Sequence, residues 1–180
     1  MVKIRNGFVS NSSSSSFIIA VPKDVNSRGK LQDLLFSNQV IYPNPHYWDG
    51  NDTAGWAVSD VATIVWKDID QPSKTKEELV DGNMHGYTPE YTMAERKVCS
   101  EYGVKDIYNI DNKEDRQKAY ELSEQYRAEL STNVIDGFVS NNPYCNFYMV
   151  EYSDNDGEMF SAMEHGDLFD RIPHIRISHH

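Results

Sequence analysis

Segments that read as β-strands stand near both ends of the chain, and this placement constrains the fold more than any other feature. Phe17-Ile-Ile-Ala-Val21 is β-branched and aromatic, which predicts a buried strand that Pro22 ends. Phe147 to Tyr152 predicts a second strand, and Ile172 to Ser178 predicts another at the end of the sequence. A sheet built from these strands has to bring the two ends of the chain together.

The strand at Phe147 to Tyr152 is predicted to be the first strand of a hairpin. Asp154-Asn-Asp-Gly157 is typical of a tight turn, and Met159-Phe160 would begin the return strand. Asp154 and Asp156 would then stand on an acidic hairpin, where a partner could bind them.

Helix boundary signals occupy the middle of the chain. Thr88-Pro89-Glu90 joins a cap residue to a proline at the first helical position, so a helix should follow, with Gly103 as its stop. Thr75 and Glu78 form a capping box for a brief helix that ends near Gly82.

The last predicted helix begins at Asp111 or Asn112. At helical spacing its inward-facing stripe consists of Ala119, Leu122, Tyr126 and Leu130. Charged residues cover the other faces.

These patterns predict a single α+β domain over residues 1–180, in which residues 1–15 form a leader or an ordered turn. Its small, mostly antiparallel sheet has strands near 16–21, 145–152, 158–163 and 172–179. The sheet packs against helices near 30–38, 89–102 and 112–131. A chain of 180 residues is long enough to bury a core without disulfides or a metal.

A short internal echo links the two ends. Asn6-Gly-Phe-Val-Ser-Asn11 is matched by Asp136-Gly-Phe-Val-Ser-Asn141, and Phe17 and Phe147 follow the respective glycines at the same distance. We interpret the echo as a glycine-based turn that leads into two strands, which are candidates for pairing. Coincidence is the alternative for so short a match.

The composition excludes several classes of protein. The formal net charge of −11 opposes general binding to duplex nucleic acid. The sequence shows no signal peptide and no apolar run long enough to span a bilayer, so a cytoplasmic protein is expected, in its own cell or in an infected host. Cys99 and Cys145 match neither a zinc site nor a disulfide framework, and no cofactor or metal is expected.

The segment from Lys3 to Phe17 reads Lys-Ile-Arg-Asn-Gly-Phe-Val-Ser-Asn-Ser-Ser-Ser-Ser-Ser-Phe. It resembles a leader found on small, uncharacterised proteins of tailed phages and bacteria. The ending, Glu164-His-Gly-Asp and Pro173 to His180, is also similar to proteins of tailed phages. The resemblance implies a viral or mobile-element origin and implies no activity.

The serine run from Ser12 to Ser16 has three interpretations. It could be a flexible tail or structural turn, or a site of modification. It could also line an anion site with its hydroxyl and backbone N–H groups, for which Ser12, Ser13 and Ser14 are the candidates.

The C-terminal strand carries a row of hydrogen-bond donors. On one face it has His174, Arg176, Ser178 and His180, which suit a phosphate or a carboxylate. The alternative is that this row pairs with the acidic hairpin through Glu151 or Glu158. A zinc site is disfavoured because His174 and His180 would lie ~20 Å apart at ~3.3 Å per residue.

Residues 42–56 form an aromatic loop that includes Tyr47 and Trp48. These side chains could make a rim for a ligand or a protein partner, since such residues are enriched at binding hot spots. They could equally pin the loop to the core.

No phosphate-binding loop, dinucleotide fingerprint or nucleophile elbow is present. The first hypothesis is therefore a non-enzymatic accessory protein of phage origin that binds a protein partner through the hairpin or the aromatic loop. The second is a small phosphate-directed enzyme that uses His174 and Arg176, with His165 or Glu164 in proton transfer. The third is a component of the virus particle. The sequence leaves the oligomeric state open.

Overall fold

A computed structural model of the chain describes residues 14–44 and 55–179. In chain order the strands are β1 Ser14–Pro22, β2 Ile41–Pro43, β3 Gly55–Ala57, β4 Cys145–Ser153 and β5 His174–Ser178. The α-helices are α1 Arg28–Phe36, α2 Val58–Asp68, α3 Lys76–Met84, α4 Pro89–Tyr102, α5 Lys113–Asn141 and α6 Glu158–His165. The predicted single α+β domain is confirmed.

The central sheet has the strand order β4-β1-β5, and both pairings are antiparallel. Phe17 lies opposite Val150 on one side and opposite Arg176 on the other. The two ends of the chain therefore meet in one sheet, as the placement of the strand patterns predicts. The small second sheet pairs β2 with β3.

Helices cover both faces of the central sheet. One face of β1 places Phe17 and Ile19 in a core shared with α1, α2 and α6. The other face places Ile18 against Leu79 of α3 and Ile135 of α5. Because β1 is buried on both faces, its sequence is a continuous apolar run rather than an alternating one.

Helix ends that were predicted from capping residues and from glycine agree with the structure. The Thr88 hydroxyl accepts a bond from the Tyr91 amide at the start of α4, and Gly103 ends that helix in the left-handed region at φ 64°. The capping box of Thr75 and Glu78 is present, although α3 continues to Met84. The first predicted helix, 30–38, is found at 28–36.

The predicted hairpin is wrong. Asp154–Asp156 form a single 3₁₀ turn, and residues 158–165 form α6 in place of the predicted strand near 158–163. Methionine, alanine and glutamate favour a helix here. Met159 and Met163, four positions apart, both pack in the main core.

The predicted end of the long helix near residue 131 is also wrong, because α5 continues to Asn141. The second copy of the echo, Asp136 to Asn141, is therefore helical and forms no turn. The first copy lies outside the described residues. The two strands that come after the copies, β1 and β4, do pair with each other.

The buried stripe of α5 differs from the predicted one. Its buried residues recur at four-residue spacing and are Ala119, Ser123, Arg127, Ser131 and Ile135. Leu122, Tyr126 and Leu130 are only partly buried. A charged residue, Arg127, therefore sits in the middle of the face that packs on the domain.

Replacing Gly137 or Gly157 by alanine should change the free energy of unfolding in opposite directions. Gly137 lies in α5 with open space where a Cβ would stand, so Gly137→Ala should raise the free energy of unfolding by about 0.5–1 kcal/mol. Gly157 has φ 116°, which strains any other residue, so Gly157→Ala should lower it by about 1 kcal/mol or more. Urea unfolding of both variants measures the difference, and equal effects would contradict the assignment of these backbones.

Among the helices in residues 14–44 and 55–179, none has both the length and the apolar character needed to cross a membrane.

Candidate functional site

Two of the sequence-predicted candidates are joined through a buried serine. The Arg176 guanidinium donates from Nε and Nη2 to the Ser15 hydroxyl, at 3.3 and 3.2 Å. Ser15 in turn donates to the Glu164 carboxylate at 3.5 Å. Glu164 is fully buried, whereas Arg176 is exposed. The connection arises because Ser15 is the second residue of β1, where it lies beside β5 and contacts Glu164 of α6.

The two candidate histidines lie in different surroundings. His165 Nε2 is 3.6 Å from the Glu164 carboxylate. His174 instead packs against Phe17 and Phe169, and its Nδ1 donates to the Ile172 carbonyl oxygen at 3.1 Å. The structure thus brings Arg176, Glu164 and His165 into one connected group.

The predicted binding residues are dispersed. Ser14 belongs to β1, where its carbonyl oxygen accepts a bond from the His179 amide. Asp154 and Asp156 stand exposed in the 3₁₀ turn. Several candidates fall outside the described residues, namely Ser12, Ser13, Tyr47, Trp48 and His180.

The row on β5 does not pair with the acids expected to neutralise it. Glu151 belongs to β4, and β1 separates β4 from β5 in the sheet. Glu158 belongs to α6. Arg176 bonds Ser15 and lies over the Phe17 ring at 5.7 Å.

A cleft of about 390 Å³ opens at the end of β5. We call it the Arg127 cleft, and its lining residues are His85, Gly86, Tyr87, Tyr91, Arg127 and His179. They come from the end of α3, the connection to α4, the first turn of α4, the middle of α5 and the residue after β5. Helix α5 supplies Arg127, and the residue after β5 supplies His179.

The charged Arg127 side chain is buried and contacts several neighbouring groups. Only 8% of its surface is exposed, its Nη2 donates to the Gly86 carbonyl oxygen at 2.6 Å, and its guanidinium lies 5.0 Å from the Tyr91 ring. Its Nη1 is 3.9 Å from the carboxylate of Glu124, whose side chain is 59% exposed. Its buried Nε has no hydrogen-bond partner among the described residues. A buried cation whose counter-ion is largely exposed and at the limit of ion-pair range can attract a further anion.

His179, another lining residue, contacts the central strand β1. Its amide donates to the Ser14 carbonyl oxygen, and its Nε2 lies 2.7 Å from the Ser16 hydroxyl. Ser16 is nearly buried in β1 and stands behind the histidine. The strand pairing therefore fixes the position of the His179 ring.

Gly86 allows the wall of the cleft to close on the sheet. A Cβ there would lie 2.6 Å from the Ser178 carbonyl oxygen and would collide with the Ile177 side chain. With glycine in place, the Tyr87 amide reaches the Ser178 carbonyl oxygen at 2.6 Å. Partial burial, and secondarily Glu95, raise the pKa of Tyr91 above its ordinary value of 10.0, so its hydroxyl stays protonated at neutral pH.

The cleft is suited to hold an anion. Arginine, histidine and tyrosine side chains can all donate to phosphate or carboxylate oxygens. The described lining contains no Asp or Glu, although the Asp81 carboxylate lies 3.4 Å from Nε2 of His85. Within residues 14–44 and 55–179, no group of three His, Cys, Asp or Glu side chains is arranged to hold a metal ion.

Sequence reasoning missed Arg127 because a charged residue on a long helix is usually assigned to the solvated face. A usable signal was present. Ala119, Ser123 and Ser131 recur with Arg127 at four-residue spacing, and small residues on one stripe indicate a close helix contact. His179 lies in the segment singled out for its histidines, but on the opposite strand face.

Comparison with known proteins found no matching family model, no matching curated protein and no matching solved structure.

Proposed function

We propose that this protein is a non-catalytic binding protein whose Arg127 cleft holds an anionic group, phosphate or carboxylate, of a macromolecular partner. The observation that carries the proposal is the buried Arg127 guanidinium in the wall of a 390 Å³ cleft, with its nearest carboxylate 3.9 Å away. Burial strengthens its attraction for an incoming anion, because charges interact more strongly away from bulk water.

The aromatic rim supports a macromolecular partner. Tyr87 is 58% exposed, and its ring packs edge-on against Tyr91 at 5.3 Å. Tyrosine and arginine together are typical of the residues that dominate protein interfaces. The described lining holds no serine or cysteine side chain, which favours binding over covalent chemistry.

Replacing Arg127 by glutamine should weaken anion binding at least tenfold. The variant removes the charge and the forked donor while keeping a polar side chain. Inorganic phosphate, phenyl phosphate and acetate would be titrated separately into ¹⁵N-labelled protein, with the amide shifts of Gly86, Tyr87 and His179 as the readout. A preference for the phosphates over acetate would identify the group that the cleft accepts.

Arg116→Gln is the matched control. Arg116 is also on α5, and its guanidinium also bonds a backbone carbonyl oxygen, that of Ile110 at 3.0 Å. The affinities of the Arg116→Gln variant for the three anions should stay within twofold of wild type. Should Arg127→Gln unfold the domain, His179→Gln provides a second test, with a smaller loss of affinity expected. Wild-type protein that shows no shift changes with any of the three anions, or equal losses in both arginine variants, would contradict the proposal.

A phosphate-directed enzyme is the second candidate. The 2.7 Å contact between the Ser16 hydroxyl and His179 Nε2 favours it, because a nucleophile and its base need such a distance. Against it, Ser16 is nearly buried and does not belong to the described lining. Turnover of p-nitrophenyl phosphate by the wild-type protein would favour this candidate over simple binding.

A further inference from the structure

One edge of the central sheet has unused backbone hydrogen-bonding groups. The Ala20 amide bonds the Pro173 carbonyl oxygen, and the His179 amide bonds the Ser14 carbonyl oxygen, both at 3.0 Å. Bonded pairs alternate along an antiparallel ladder, so residues 173, 175, 177 and 179 face β1. The N–H and C=O groups of His174, Arg176 and Ser178 therefore point away from the sheet.

The two edges of this sheet differ in the hydrogen bonds that their outward backbone groups make. On the β4 edge, the Phe147 amide bonds the Ser73 hydroxyl at 2.9 Å, and the Lys74 amide bonds the Phe147 carbonyl oxygen at 2.8 Å. On the β5 edge, the bond found among the described residues is from the Tyr87 amide to the Ser178 carbonyl oxygen. The outward backbone groups of His174 and Arg176 have no partner within residues 14–44 and 55–179, and an open sheet edge can pair with another strand.

The side chains along this edge favour an acidic occupant. Residues 171–179 include Arg171, His174, Arg176 and His179 but no Asp or Glu, on a chain whose net charge is −11. Arg176 is exposed, and with two of its nitrogen atoms on Ser15 it keeps further N–H donors for a carboxylate. Acids beyond about 8 Å have little effect on this edge, because salt screens their charge at physiological ionic strength. The nearer Glu164 carboxylate accepts bonds from the Ser15 hydroxyl and the Asp154 amide.

A second copy of this chain fits the same edge poorly. Antiparallel pairing of β5 with itself about its middle residue would place Arg176 opposite Arg176, and directly opposed like charges destabilise a sheet. The overall charge of each copy would add to the repulsion.

We propose that β5 binds an extended acidic segment of a partner protein, which joins the central sheet as a fourth strand beside His174 and Arg176. The five residues of β5 span about 17 Å, which suits a segment of four or five residues. Backbone bonds supply the binding, and Arg176 selects for glutamate or aspartate. The edge ends at the Tyr87–Ser178 bridge beside the Arg127 cleft, but neither His174 nor Arg176 lines that cleft.

Blocked peptides of alternating glutamate and valine test the proposal, with lysine–valine peptides of equal length for comparison. We expect the acidic peptide to bind at least tenfold more tightly by calorimetry and to protect the His174 and Arg176 amides from hydrogen exchange. N-methylation of the peptide amides that face β5 should abolish binding, whereas N-methylation of the alternate amides should preserve it. The methylated peptides leave the protein unaltered, so this comparison survives any folding defect of a variant.

Variants identify the side chain and separate this site from the cleft. Arg176→Glu should reverse the preference toward the lysine peptide, while Arg28→Gln, an exposed arginine on α1, should keep wild-type affinity. Arg127→Gln should lose phosphate in the cleft but bind the acidic peptide within twofold of wild type. Equal binding of both peptides, shift changes confined to Tyr87 and His179, or a concentration-dependent dimer that buries β5 would each overturn the proposal.

Discussion

Replacing Glu164 by alanine is expected to lower the free energy of unfolding by about 3–5 kcal/mol. The Glu164 carboxylate accepts bonds from the Ser15 hydroxyl and from the Asp154 amide, at 3.5 and 3.2 Å. Alanine removes both acceptors and leaves a cavity at a fully buried position. The Ser15 hydroxyl, itself fully buried, would lose the carboxylate that connects β1 to α6.

Urea unfolding followed by circular dichroism measures this effect. Glu158→Ala is the matched control, since Glu158 is exposed at the start of the same helix and should cost less than about 1 kcal/mol. Glu164→Gln keeps the shape and one acceptor oxygen, so it should fall between the two. If Glu164→Ala and Glu158→Ala are equally stable, Glu164 does not stabilise the fold as we describe.

Alkaline pH is expected to destabilise the protein steeply through two buried tyrosines. Burial is the main cause that raises the pKa values of Tyr42 and Tyr152 above the ordinary 10.0, and nearby carboxylates add to it. The Tyr42 hydroxyl donates to the Ala162 carbonyl oxygen and the Tyr152 hydroxyl to Asp68, both at 3.0 Å. Both phenols therefore keep their protons in the folded state at a pH where the unfolded chain has released them.

The direction of the effect is set by proton linkage. Stability is fully present below pH 10 and falls as pH rises above it, because the unfolded state then binds fewer protons than the folded state. Each phenol contributes at most about 1.36 kcal/mol per pH unit, so the two together contribute at most about 2.7 kcal/mol per unit. Such a slope approaches the whole stability of an ordinary domain within a few pH units.

Unfolding free energies between pH 8 and pH 11.5 measure the slope. Tyr42→Phe and Tyr152→Phe should each remove about half of this tyrosine contribution above pH 10, whatever they cost at neutral pH. Tyr144→Phe is the control, because Tyr144 is 81% exposed. Identical slopes in wild type and in both buried-site variants would refute the linkage.

The parts of the fold predicted from sequence are those that depend on neighbouring residues. Thr88, Pro89 and Gly103 bound α4 through local bonds and backbone preference, and those boundaries are confirmed. The run Phe17–Val21 is recognisable as a buried strand because its two apolar faces need two covering layers.

The failures arise where local signals fit two structures. Asp154–Gly157 does turn the chain, but a turn does not determine the structure of the next segment. The residues after Gly157 form α6 because Met159, Ala162 and Met163 pack in the core. Gly137 suggests a turn in the echo, yet α5 passes through it because Ile135 and Phe138 pack on the sheet. Tertiary packing overrides the local preference in both places.

The candidate site was predictable only in fragments. The sequence indicates Arg176, Glu164 and His165 as a group of polar residues, but Ser15, which joins Arg176 to Glu164, comes from the far end of the chain. The Arg127 cleft gathers residues from α3, α4, α5 and the end of β5. Such a gathering depends on how distant helices cross the sheet, which no single sequence pattern encodes.

The strand order also has a consequence for how this protein acquires its fold. The central strand β1 is followed by more than a hundred residues before either of its partners, β4 and β5, occurs in the chain. Contacts between such distant segments form slowly, because the entropy of closing a long loop is lost before the strand hydrogen bonds form. During synthesis the apolar Phe17–Val21 segment has neither of its strand partners until β4 has been made. The newly made chain is therefore most vulnerable to aggregation in the interval before its last fifth, which contains β4 and β5, is synthesised.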